Sequence, residues 1–397
     1  MYKVKLLDNL SEKGLATFDS AQYQLGTEIA DPDILLVRSR KLQDYVFPEH
    51  VIAVGRAGIG TDNIPVERLT KQGIPVFFAP GANANAVKEL VIAALLIGYR
   101  NLNQARYFLD NLALDKKDEL NQEIETGKKQ FVGHEIYGKT LGVIGLGNIG
   151  CKVANAALSL GMNVVAYDPF MTLTNALALM PGVKVIADLN QCLSSADIVT
   201  LHIPLRTDTT CLINEKNMGL MKKDALLMNF SREKIVSEEA IIEQLNNKLL
   251  MGYITDFPTP NLATHPRVLS FPHLGASTTE AESNSAEMVI RNISNYLEYG
   301  IIEHSINFPD TSLPTARLSD CCRMVVINHN KPGVIADCTQ KISQLGYNIE
   351  RMVNTSRDTI AVNLIDISGV HELRDELATH FKAIESVIRV YIIPSAG

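Results

Sequence analysis

A glycine-rich hexapeptide, Gly145-Leu146-Gly147-Asn148-Ile149-Gly150, lies between an apolar run that predicts a strand and a segment that predicts a helix. Glycines at this spacing allow a tight turn, close approach of a pyrophosphate to the backbone, and close packing of the helix on the strand. The free N–H groups at a helix N-terminus favour a phosphate there. In this setting, the hexapeptide predicts a dinucleotide-binding turn rather than a turn without a ligand.

Asp168 lies 23 residues after Gly145, at the end of the next predicted strand. A carboxylate at that position is suited to hydrogen bonds with both hydroxyls of an adenosine ribose. It would repel a 2′-phosphate, and no Arg or Lys stands between Tyr167 and Met180 to neutralise it. We therefore expect NAD, rather than NADP, as the cofactor.

Two further residues could act on a substrate beside such a cofactor. Hydride transfer to or from a carbonyl needs a cation for the substrate carboxylate, a donor that polarises the carbonyl, and a group that exchanges the hydroxyl proton. Arg232 follows the predicted strand 225–229, and its guanidinium can bind a carboxylate through two hydrogen bonds. His273 precedes a long predicted helix. On position alone, a surface arginine and a structural histidine remain alternatives.

The elements that must position these residues alternate short apolar runs with helical patterns. The predicted strands cover 2–7, 33–37, 51–54, 75–78, 141–144, 164–167, 183–186, 198–201, 225–229 and 250–254. The predicted helices include 86–112 and 277–299, and a polar stretch covers 115–129. Such alternation predicts βαβ units and doubly wound parallel sheets, an α/β fold.

The last 80 residues predict a separate unit. An extended run at 302–308 and a linker with two prolines precede it. The following elements have the order βαββαβ, which is typical of a small ferredoxin-like domain. Its predicted strands are 324–328, 349–355, 359–367 and 387–393, and its helices are 334–345 and 370–380.

Composition excludes several classes of protein. The chain has 397 residues, of which 46% are apolar and 20% charged, enough for two or three domains. Its net charge of −7 does not favour nucleic acid, and no apolar run is long enough to span a membrane. The six cysteines form no CxxC pair and no His/Cys spacing indicates zinc. We expect no metal and a reduced, cytoplasmic location.

The sequence resembles the D-2-hydroxyacid dehydrogenase family over nearly its whole length. The resemblance rests on five motifs in this order: Gly55-Arg56-Ala57-Gly58-Ile59-Gly60-Thr61-Asp62-Asn63, the glycine hexapeptide, Leu201-His202-Ile203-Pro204-Leu205, Asn229-Phe230-Ser231-Arg232, and Pro272-His273-Leu274-Gly275-Ala276-Ser277-Thr278. It implies a discontinuous flavodoxin-like substrate domain, completed by the helix near Ser277, and a Rossmann NAD-binding domain. It also implies that Arg232 binds the carboxylate and polarises the carbonyl, and that His273 is the acid/base.

The same resemblance implies the cofactor contacts Gly145, Gly147, Asn148, Ile149, Gly150, Asp168, Pro204 and Asp256, with Asp256 near the nicotinamide. We interpret His202 as structural. One family feature is missing, because the segment 256–261 has no glutamate to pair with the histidine. Glu280, in the helix after His273, is a candidate to replace it.

Positive charge at the end of the second predicted strand bears on the substrate. Arg38-Ser39-Arg40 could place two guanidiniums on one side to hold a dianionic phosphate, or could be a solvated cluster. The branch of the family that oxidises 3-phospho-D-glycerate carries the same Arg-Ser-Arg where it binds substrate. The resemblance also implies substrate contacts for Arg56, Ala57, Gly58, Ile59 and Lys88, with backbone N–H groups near Gly58 on the carboxylate.

The terminal unit resembles an ACT domain, which is a common amino-acid sensor. Asn328 and Asn330 lie in the turn after its first strand, and Asn348 follows its first helix. Serine-inhibited relatives have a histidine where this chain has Asn328. We therefore expect weaker L-serine binding than in those relatives, or a different amino acid as the ligand. The resemblance implies that the three asparagines form this site, and a purely structural dimerisation module is the alternative. We expect a homodimer or homotetramer.

These observations predict NAD-dependent oxidation of 3-phospho-D-glycerate, with 2-hydroxyglutarate or another unphosphorylated D-2-hydroxyacid as the alternative substrate. A NAD-responsive regulator without turnover is a third possibility, because the catalytic glutamate is missing. The expected boundaries are 1–88 with 276–308 for the substrate domain, 89–275 for the NAD-binding domain, 309–318 for the linker and 319–397 for the ACT-like domain.

Overall fold

The computed structural model describes residues 1–112, 117–316, 318, 320–370 and 374–393. Parts of the predicted polar stretch (115–116), the linker (317) and the terminal domain (319, 371–373 and 394–397) lie outside this set. The chain forms two compact units, one of Met1–Ala82 with Thr279–Gly397, and one of Asn83–Thr278. The predicted domain boundaries stay a prediction.

The first unit begins with a five-stranded parallel sheet. Its elements are β1 (Tyr2–Leu6), α1 (Glu12–Leu15), β2 (Tyr23–Gly26), β3 (Ile34–Val37), β4 (Ala53–Arg56), α2 (Val66–Lys71) and β5 (Val76–Phe77). The strand order is β2-β1-β3-β4-β5, with every pair parallel. This is the flavodoxin-like order, as predicted. The central strand β3 is buried at all four residues because helices cover both faces of such a sheet.

The second unit carries the other parallel sheet. Its elements are α3 (Ala84–Tyr99), α4 (Leu102–Asp110), α5 (Lys117–Gly127), β6 (Thr140–Ile144), α6 (Asn148–Ser159), β7 (Asn163–Tyr167), α7 (Leu173–Ala178), β8 (Val183–Val185), α8 (Leu189–Ser195), β9 (Ile198–Leu201), α9 (Glu215–Met218), β10 (Ala225–Asn229), α10 (Glu238–Asn246), β11 (Leu250–Thr255), α11 (Pro260–Ala263) and β12 (Val268–Ser270), with short 3-10 helices at Lys128–Phe131 and Glu233–Ile235. The order β12-β11-β10-β9-β6-β7-β8 is that of a Rossmann sheet, as predicted. It reverses direction between β6 and β9, and ligands of such sheets bind outside the carboxyl ends at that point.

The rest of the first unit consists of a long helix and an antiparallel sheet. The elements are α12 (Thr279–Tyr299), β13 (Cys321–His329), α13 (Val334–Gln344), β14 (Asn348–Arg357), β15 (Ile360–Ser368), α14 (Arg374–Lys382) and β16 (Val387–Ile393). The order β14-β15-β13-β16 confirms the ferredoxin-like prediction. One face of this sheet packs on its own helices, and the other shares a core with α12.

Helix α12 returns to the N-terminal sheet, so this domain is discontinuous, as predicted. A Cβ at Gly55 on β4 would lie 2.5 Å from Val289 and 2.7 Å from Ile293, both on α12. At the other end of α12, Arg323 of β13 donates to the carbonyl of Tyr299 at 2.9 Å. The same guanidinium makes two hydrogen bonds, at 2.7 and 2.9 Å, to Asp366 of β15. The terminal sheet is therefore tied to the helix that completes the first sheet.

Two predicted elements are wrong. The helix expected over 86–112 is two helices, because Asn101 adopts a left-handed conformation (φ 52°), which asparagine tolerates better than most residues. The strand expected over 302–308 is reduced to isolated bridges. There the side chain of Asn307 accepts from the N–H of Val76 and donates to the carbonyl of Ile74, each at 2.9 Å, and so replaces a strand pairing.

No helix in the described ranges is both long enough and apolar enough to span a membrane.

Candidate active site

The glycine-rich turn lies where β6 ends and α6 begins. Gly145 has a φ of 94°, which favours glycine, and a Cβ there would lie 2.5 Å from the carbonyl oxygen of His202. A Cβ on Gly150 would lie 1.9 Å from the carbonyl oxygen of Gly145, whereas a Cβ on Gly147 would meet no atom within 4 Å. The outer two glycines therefore shape the turn, and the space beside Gly147 is open.

Helix α6 begins at Asn148 and has no side-chain hydrogen bond at its N-cap, Gly147. The first N–H groups of a helix have no partner within the helix, and its dipole favours negative charge at this end. Asn148 is exposed and Ile149 is half-buried. Open space over Gly147 and an uncapped helix end suit the pyrophosphate of a dinucleotide, so the residues present fit NAD.

Asp168 follows β7 and faces the glycine turn. Its two carboxylate oxygens accept the N–H of Leu146 at 2.7 Å and the N–H of Phe170 at 2.8 Å. A carboxylate oxygen has two lone pairs, so each can still accept a ribose hydroxyl. These two backbone contacts fix the orientation of the carboxylate, and its role in binding ribose stays a prediction.

One cation, Arg206, lies close to the segment after Asp168, although the sequence has no Arg or Lys between Tyr167 and Met180. The guanidinium of Arg206 lies over the ring of Phe170, 5.1 Å from its centroid. It is also paired with Asp208 at 3.0 Å. The carboxylate of Asp168 itself still disfavours a 2′-phosphate, so NAD remains favoured over NADP at this position.

The segment after β9 packs against the same turn. The Nε2 atom of His202 lies 3.1 Å from the hydroxyl of Thr200, and its Nδ1 is buried without a hydrogen bond. Burial lowers the pKa of His202 to about 3, so the ring is neutral near pH 7. Pro204 is exposed, and its carbonyl accepts the hydroxyl of Thr209 at 2.7 Å.

Arg232 lies in a turn that two side chains stabilise. The amide of Asn229 accepts the N–H of Ser231 at 3.1 Å and donates to the carbonyl of Arg232 at 2.8 Å. The hydroxyl of Ser231 donates to the carbonyl of Leu201 and accepts the N–H of Ile203 at 3.2 Å. The turn is thus fixed to the neighbouring strand, and the half-buried Arg232 follows it at the carboxyl edge of the sheet.

Asp256, only 1% exposed, is next to both Arg232 and the loop that carries His273. Burial raises the pKa of Asp256 to about 6, although the N–H of Gly275 and the charge of Arg232 both oppose that rise. The Oδ1 atom of Asp256 is buried without a partner. His273 is exposed, and its ring lies 4.7 Å from that of Phe257. The structure therefore brings Arg232, Asp256 and the His273 loop together.

The segment expected to carry the family's glutamate contains a short helix instead. Thr259 is the N-cap of α11 (Pro260–Ala263), and Asn261 donates to the carboxylate of Glu238 at 2.9 Å. Glu280, the candidate replacement, lies in the first turn of α12 in the other unit. Its pairing with His273 stays a prediction.

In the first unit, sequence reasoning missed the residues that hold the Arg38-Ser39-Arg40 segment. One oxygen of Asp8 accepts the N–H groups of Arg38, Ser39 and Arg40 at 2.6, 3.0 and 3.1 Å. The amide of Asn63 donates to the carbonyl of Arg40 at 2.8 Å. The sequence did carry a signal for this contact. Asp8 is an acidic residue just beyond the end of β1, and the ends of β1 and β3 lie at the same edge of the parallel sheet.

Some of the backbone N–H groups that were expected to bind the substrate carboxylate already donate to carbonyls of the protein. The N–H groups of Ala57 and Gly58 donate to the carbonyls of Val37 and Arg56, both at 2.8 Å. Within the described ranges, the N–H of Ile59 has no such backbone partner. A Cβ on Gly58, whose φ is 151°, would lie 1.9 Å from the guanidinium of Arg56.

In the second unit, Lys88 lies on α3, and its ammonium is 3.3 Å from the carboxylate of Glu89.

The three asparagines of the terminal sheet do not come together within one chain. Asn330 lies beyond the end of β13 that pairs with Ile360, whereas Asn348 pairs with Ser368 at the opposite end of β15. Asn328 is 2% exposed, and its amide accepts from Asn363 and donates to the carbonyl of His329, both at 2.8 Å. A ligand contact for Asn328 is therefore not supported, because its polar groups are used inside the sheet.

Comparison with known proteins identifies the second unit. Residues 94–275 match the family described as D-isomer specific 2-hydroxyacid dehydrogenase, NAD binding domain. The glycine turn, Asp168, Arg232 and His273 all lie within this match. NAD is therefore the cofactor that this domain binds.

Curated relatives match more of the chain. A D-3-phosphoglycerate dehydrogenase of Methanocaldococcus jannaschii is 36% identical over 77% of this chain, and one of Bacillus subtilis is 33% identical over 78%. The chain spans only 57% and 59% of the lengths of these two relatives. A D-3-phosphoglycerate dehydrogenase of Escherichia coli K12 is 31% identical over 98% of this chain and 97% of its own length.

Solved structures show the same fold. An NAD-bound 3-phosphoglycerate dehydrogenase of Entamoeba histolytica covers 79% of this chain and 99% of its own, with a TM-score of 0.62 and 24% identity. A D-2-hydroxyisocaproate dehydrogenase covers 77% of this chain and 100% of its own, with a TM-score of 0.62 and 20% identity. With the full-length match to the Escherichia coli relative, the chain belongs to the D-isomer specific 2-hydroxyacid dehydrogenase family.

Proposed function

We propose that this chain oxidises 3-phospho-D-glycerate to 3-phosphohydroxypyruvate with NAD, the first step of L-serine biosynthesis. The observation that carries the proposal is the 31% identity over 98% of the chain to an Escherichia coli protein named for this activity. The two arginines of the Arg38-Ser39-Arg40 segment support the phosphorylated substrate. Both Arg232 and His273 are present, which supports turnover over a purely regulatory role.

Oxidation removes a hydride from C2 and a proton from the C2 hydroxyl, so that a carbonyl forms. NAD accepts the hydride when it is bound. Arg232, fixed by the Asn229–Ser231 turn, binds the substrate carboxylate and polarises the C2 oxygen. His273 in its neutral form takes the hydroxyl proton. Asp256 holds the His273 loop through the N–H of Gly275 and, as the family resemblance implies, would lie near the nicotinamide when NAD is bound.

The phosphate assignment is tested with Arg40→Ala. Loss of a charge-assisted hydrogen bond costs about 1.5–3 kcal/mol, so KM for 3-phospho-D-glycerate should rise roughly tenfold to a hundredfold. Lys41→Ala is the matched control, because Lys41 is an exposed neighbour of the same charge. KM for a plain 2-hydroxyacid should stay unchanged, and equal losses on both substrate types contradict a phosphate role for Arg40.

The activity itself is tested by NADH formation with a panel of phosphorylated and plain 2-hydroxyacids, each with and without L-serine. Turnover of 3-phospho-D-glycerate supports the proposal. Turnover of 2-hydroxyglutarate alone would assign an unphosphorylated substrate, and no turnover on any member would favour an NAD-responsive regulator. In the same assay, Glu280→Gln should shift the acidic limb of the kcat/KM profile if Glu280 replaces the family's glutamate.

We propose further that the terminal domain binds an amino acid such as L-serine between two copies of the chain. Asn330 and Asn348 lie at opposite ends of the sheet, roughly 25–30 Å apart for strands of this length. Strand β14 is an edge strand, and a two-fold pairing of two β14 strands is antiparallel. That pairing would bring Asn348 of one copy to the end of the sheet where Asn330 of its partner lies.

Complementation between subunits tests this arrangement. Asn330→Ala and Asn348→Ala should each weaken L-serine binding in calorimetric titrations. Each interface between the two different variants should regain one of its two sites, because that site carries both native asparagines, so a randomly exchanged equimolar mixture should regain about a quarter of all sites. If mixing restores no binding, the ligand does not use both residues across an interface. If no amino acid binds even the wild type, the domain serves assembly only.

The cytoplasm is the proposed compartment, since the cysteines of the described residues form no disulfide.

A further inference from the structure

The Arg38-Ser39-Arg40 segment is held in place by the protein itself. One oxygen of Asp8 accepts all three backbone N–H groups of the segment. Partial burial raises the pKa of Asp8, but these three hydrogen bonds together outweigh that effect and keep its pKa below the usual value. Asp8 is therefore charged at neutral pH, and the segment has its shape before any substrate arrives.

The guanidinium of Arg38 already has an anionic partner. Its Nη1 lies 2.8 Å from Oε1 of Glu282, and the two side chains are 31% and 38% exposed. Glu282 lies in the first turn of α12, where the helix dipole stabilises a negative charge. With Asp8 and Glu282 in contact with it, the segment's two positive charges are balanced by two negative ones.

A phosphate competes well for such a guanidinium. Partly exposed ion pairs contribute little to stability, so that breaking one costs little. A dianionic phosphate binds arginine through two parallel hydrogen bonds and carries more charge than a carboxylate. We propose that Glu282 is an internal competing anion, which holds Arg38 in the absence of substrate and is displaced by the substrate phosphate. This inference rests on the proposed function, because it takes the phosphorylated substrate from it.

The variant Glu282→Gln removes the competing charge and keeps the size of the side chain. We expect KM for 3-phospho-D-glycerate to fall roughly two- to fivefold, which is the range that one exposed ion pair supplies. The kcat, and the KM for a 2-hydroxyacid without a phosphate, should not change. Glu287→Gln is the matched control, because Glu287 lies on the same helix and pairs with Lys13, at 3.9 Å, instead.

A binding measurement separates this inference from the proposed function. Calorimetric titration with inorganic phosphate needs no turnover, and Glu282→Gln should bind it two- to fivefold more tightly than the wild type and Glu287→Gln. An unchanged or weaker affinity, or a raised KM, overturns the proposal and makes Glu282 a residue that orients Arg38. If Glu282→Gln binds phosphate more tightly but the protein turns over no 2-hydroxyacid, the role of Glu282 as a competing anion is supported and the proposed function is refuted.

Discussion

The buried ion pair between Arg323 and Asp366 makes a sharp prediction about stability. The two residues are 1% and 3% exposed. The guanidinium makes two hydrogen bonds to Asp366, one to the carbonyl of Tyr299 at 2.9 Å, and one to the carbonyl of Pro314 at 3.0 Å. In Asp366→Ala the two carbonyl contacts remain, but the guanidinium loses the carboxylate with which it forms its ion pair.

The expected loss follows from that burial. Removing one partner of a buried pair leaves an uncompensated charge and costs about 3–5 kcal/mol of unfolding free energy. The double variant Arg323→Met, Asp366→Leu removes both charges and should recover part of this loss. Recovery stays incomplete, because the carbonyls of Tyr299 and Pro314 lose a donor at roughly 1–3 kcal/mol for each buried group.

The assay is urea unfolding followed by far-UV circular dichroism, since the chain has no tryptophan. Each transition is fitted separately, because a chain with several domains need not unfold in one step. Asp110→Ala is the control, since Asp110 pairs with Arg106 on an exposed helix face and should cost no more than about 0.5 kcal/mol. If Asp366→Ala lowers the free energy of unfolding no more than the control does, the conclusion that Arg323 is buried and needs the charge of Asp366 is refuted.

Three other predictions concern stability and the cofactor. Gly150→Ala should lower the unfolding midpoint, because its Cβ would lie 1.9 Å from a backbone oxygen. Gly147→Ala should leave the midpoint unchanged, because its Cβ would meet no atom within 4 Å, but should weaken NAD binding in a titration. A normal NAD affinity for Gly147→Ala would contradict the cofactor position. Burial raises the pKa of Asp256 from 3.8 to about 6, so ionising this carboxyl destabilises the fold, and the destabilisation increases as pH rises from about 4 to above 6. Asp256→Asn should therefore have a free energy of unfolding about 2–3 kcal/mol higher than wild type at pH 7.5. Below about pH 4 this difference should vanish, because the carboxyl is then protonated in both the folded and unfolded states. Asn307→Ala removes the side chain that bonds Val76 and Ile74 and should cost about 2–4 kcal/mol in urea unfolding, against an exposed control, Asn247→Ala, that costs little.

The parts of the site that the sequence predicted are those encoded locally. Only helix α6 and strand β7 separate the glycine turn from Asp168, and both features lie at the strand ends that their spacing predicted. The strands at Ile198–Leu201 and Ala225–Asn229 match their predicted limits, because each is buried along its whole length and is therefore apolar throughout.

The parts that escaped prediction depend on long-range partners or on polar side chains. Strand β2 was missed because only one of its four residues is buried, so it has no apolar run to detect. The pairing of Arg38 with Glu282 joins residues 244 positions apart, and nothing in the local pattern of either marks it. The burial of Asn328 was also hidden, since a polar residue beside a turn is usually exposed.

The buried amide of Asn328 belongs to a ladder across three strands, in which Asn354 donates to Asn363 and Asn363 donates to Asn328, each at 2.8 Å. A slip of one residue in any of these strands would turn an amide to the opposite face and leave its neighbours buried without partners. Apolar residues tolerate such a shift more readily than directional amides do. The ladder therefore favours the native register of β13, β14 and β15 during folding, because pairings shifted by one residue leave buried amides without partners.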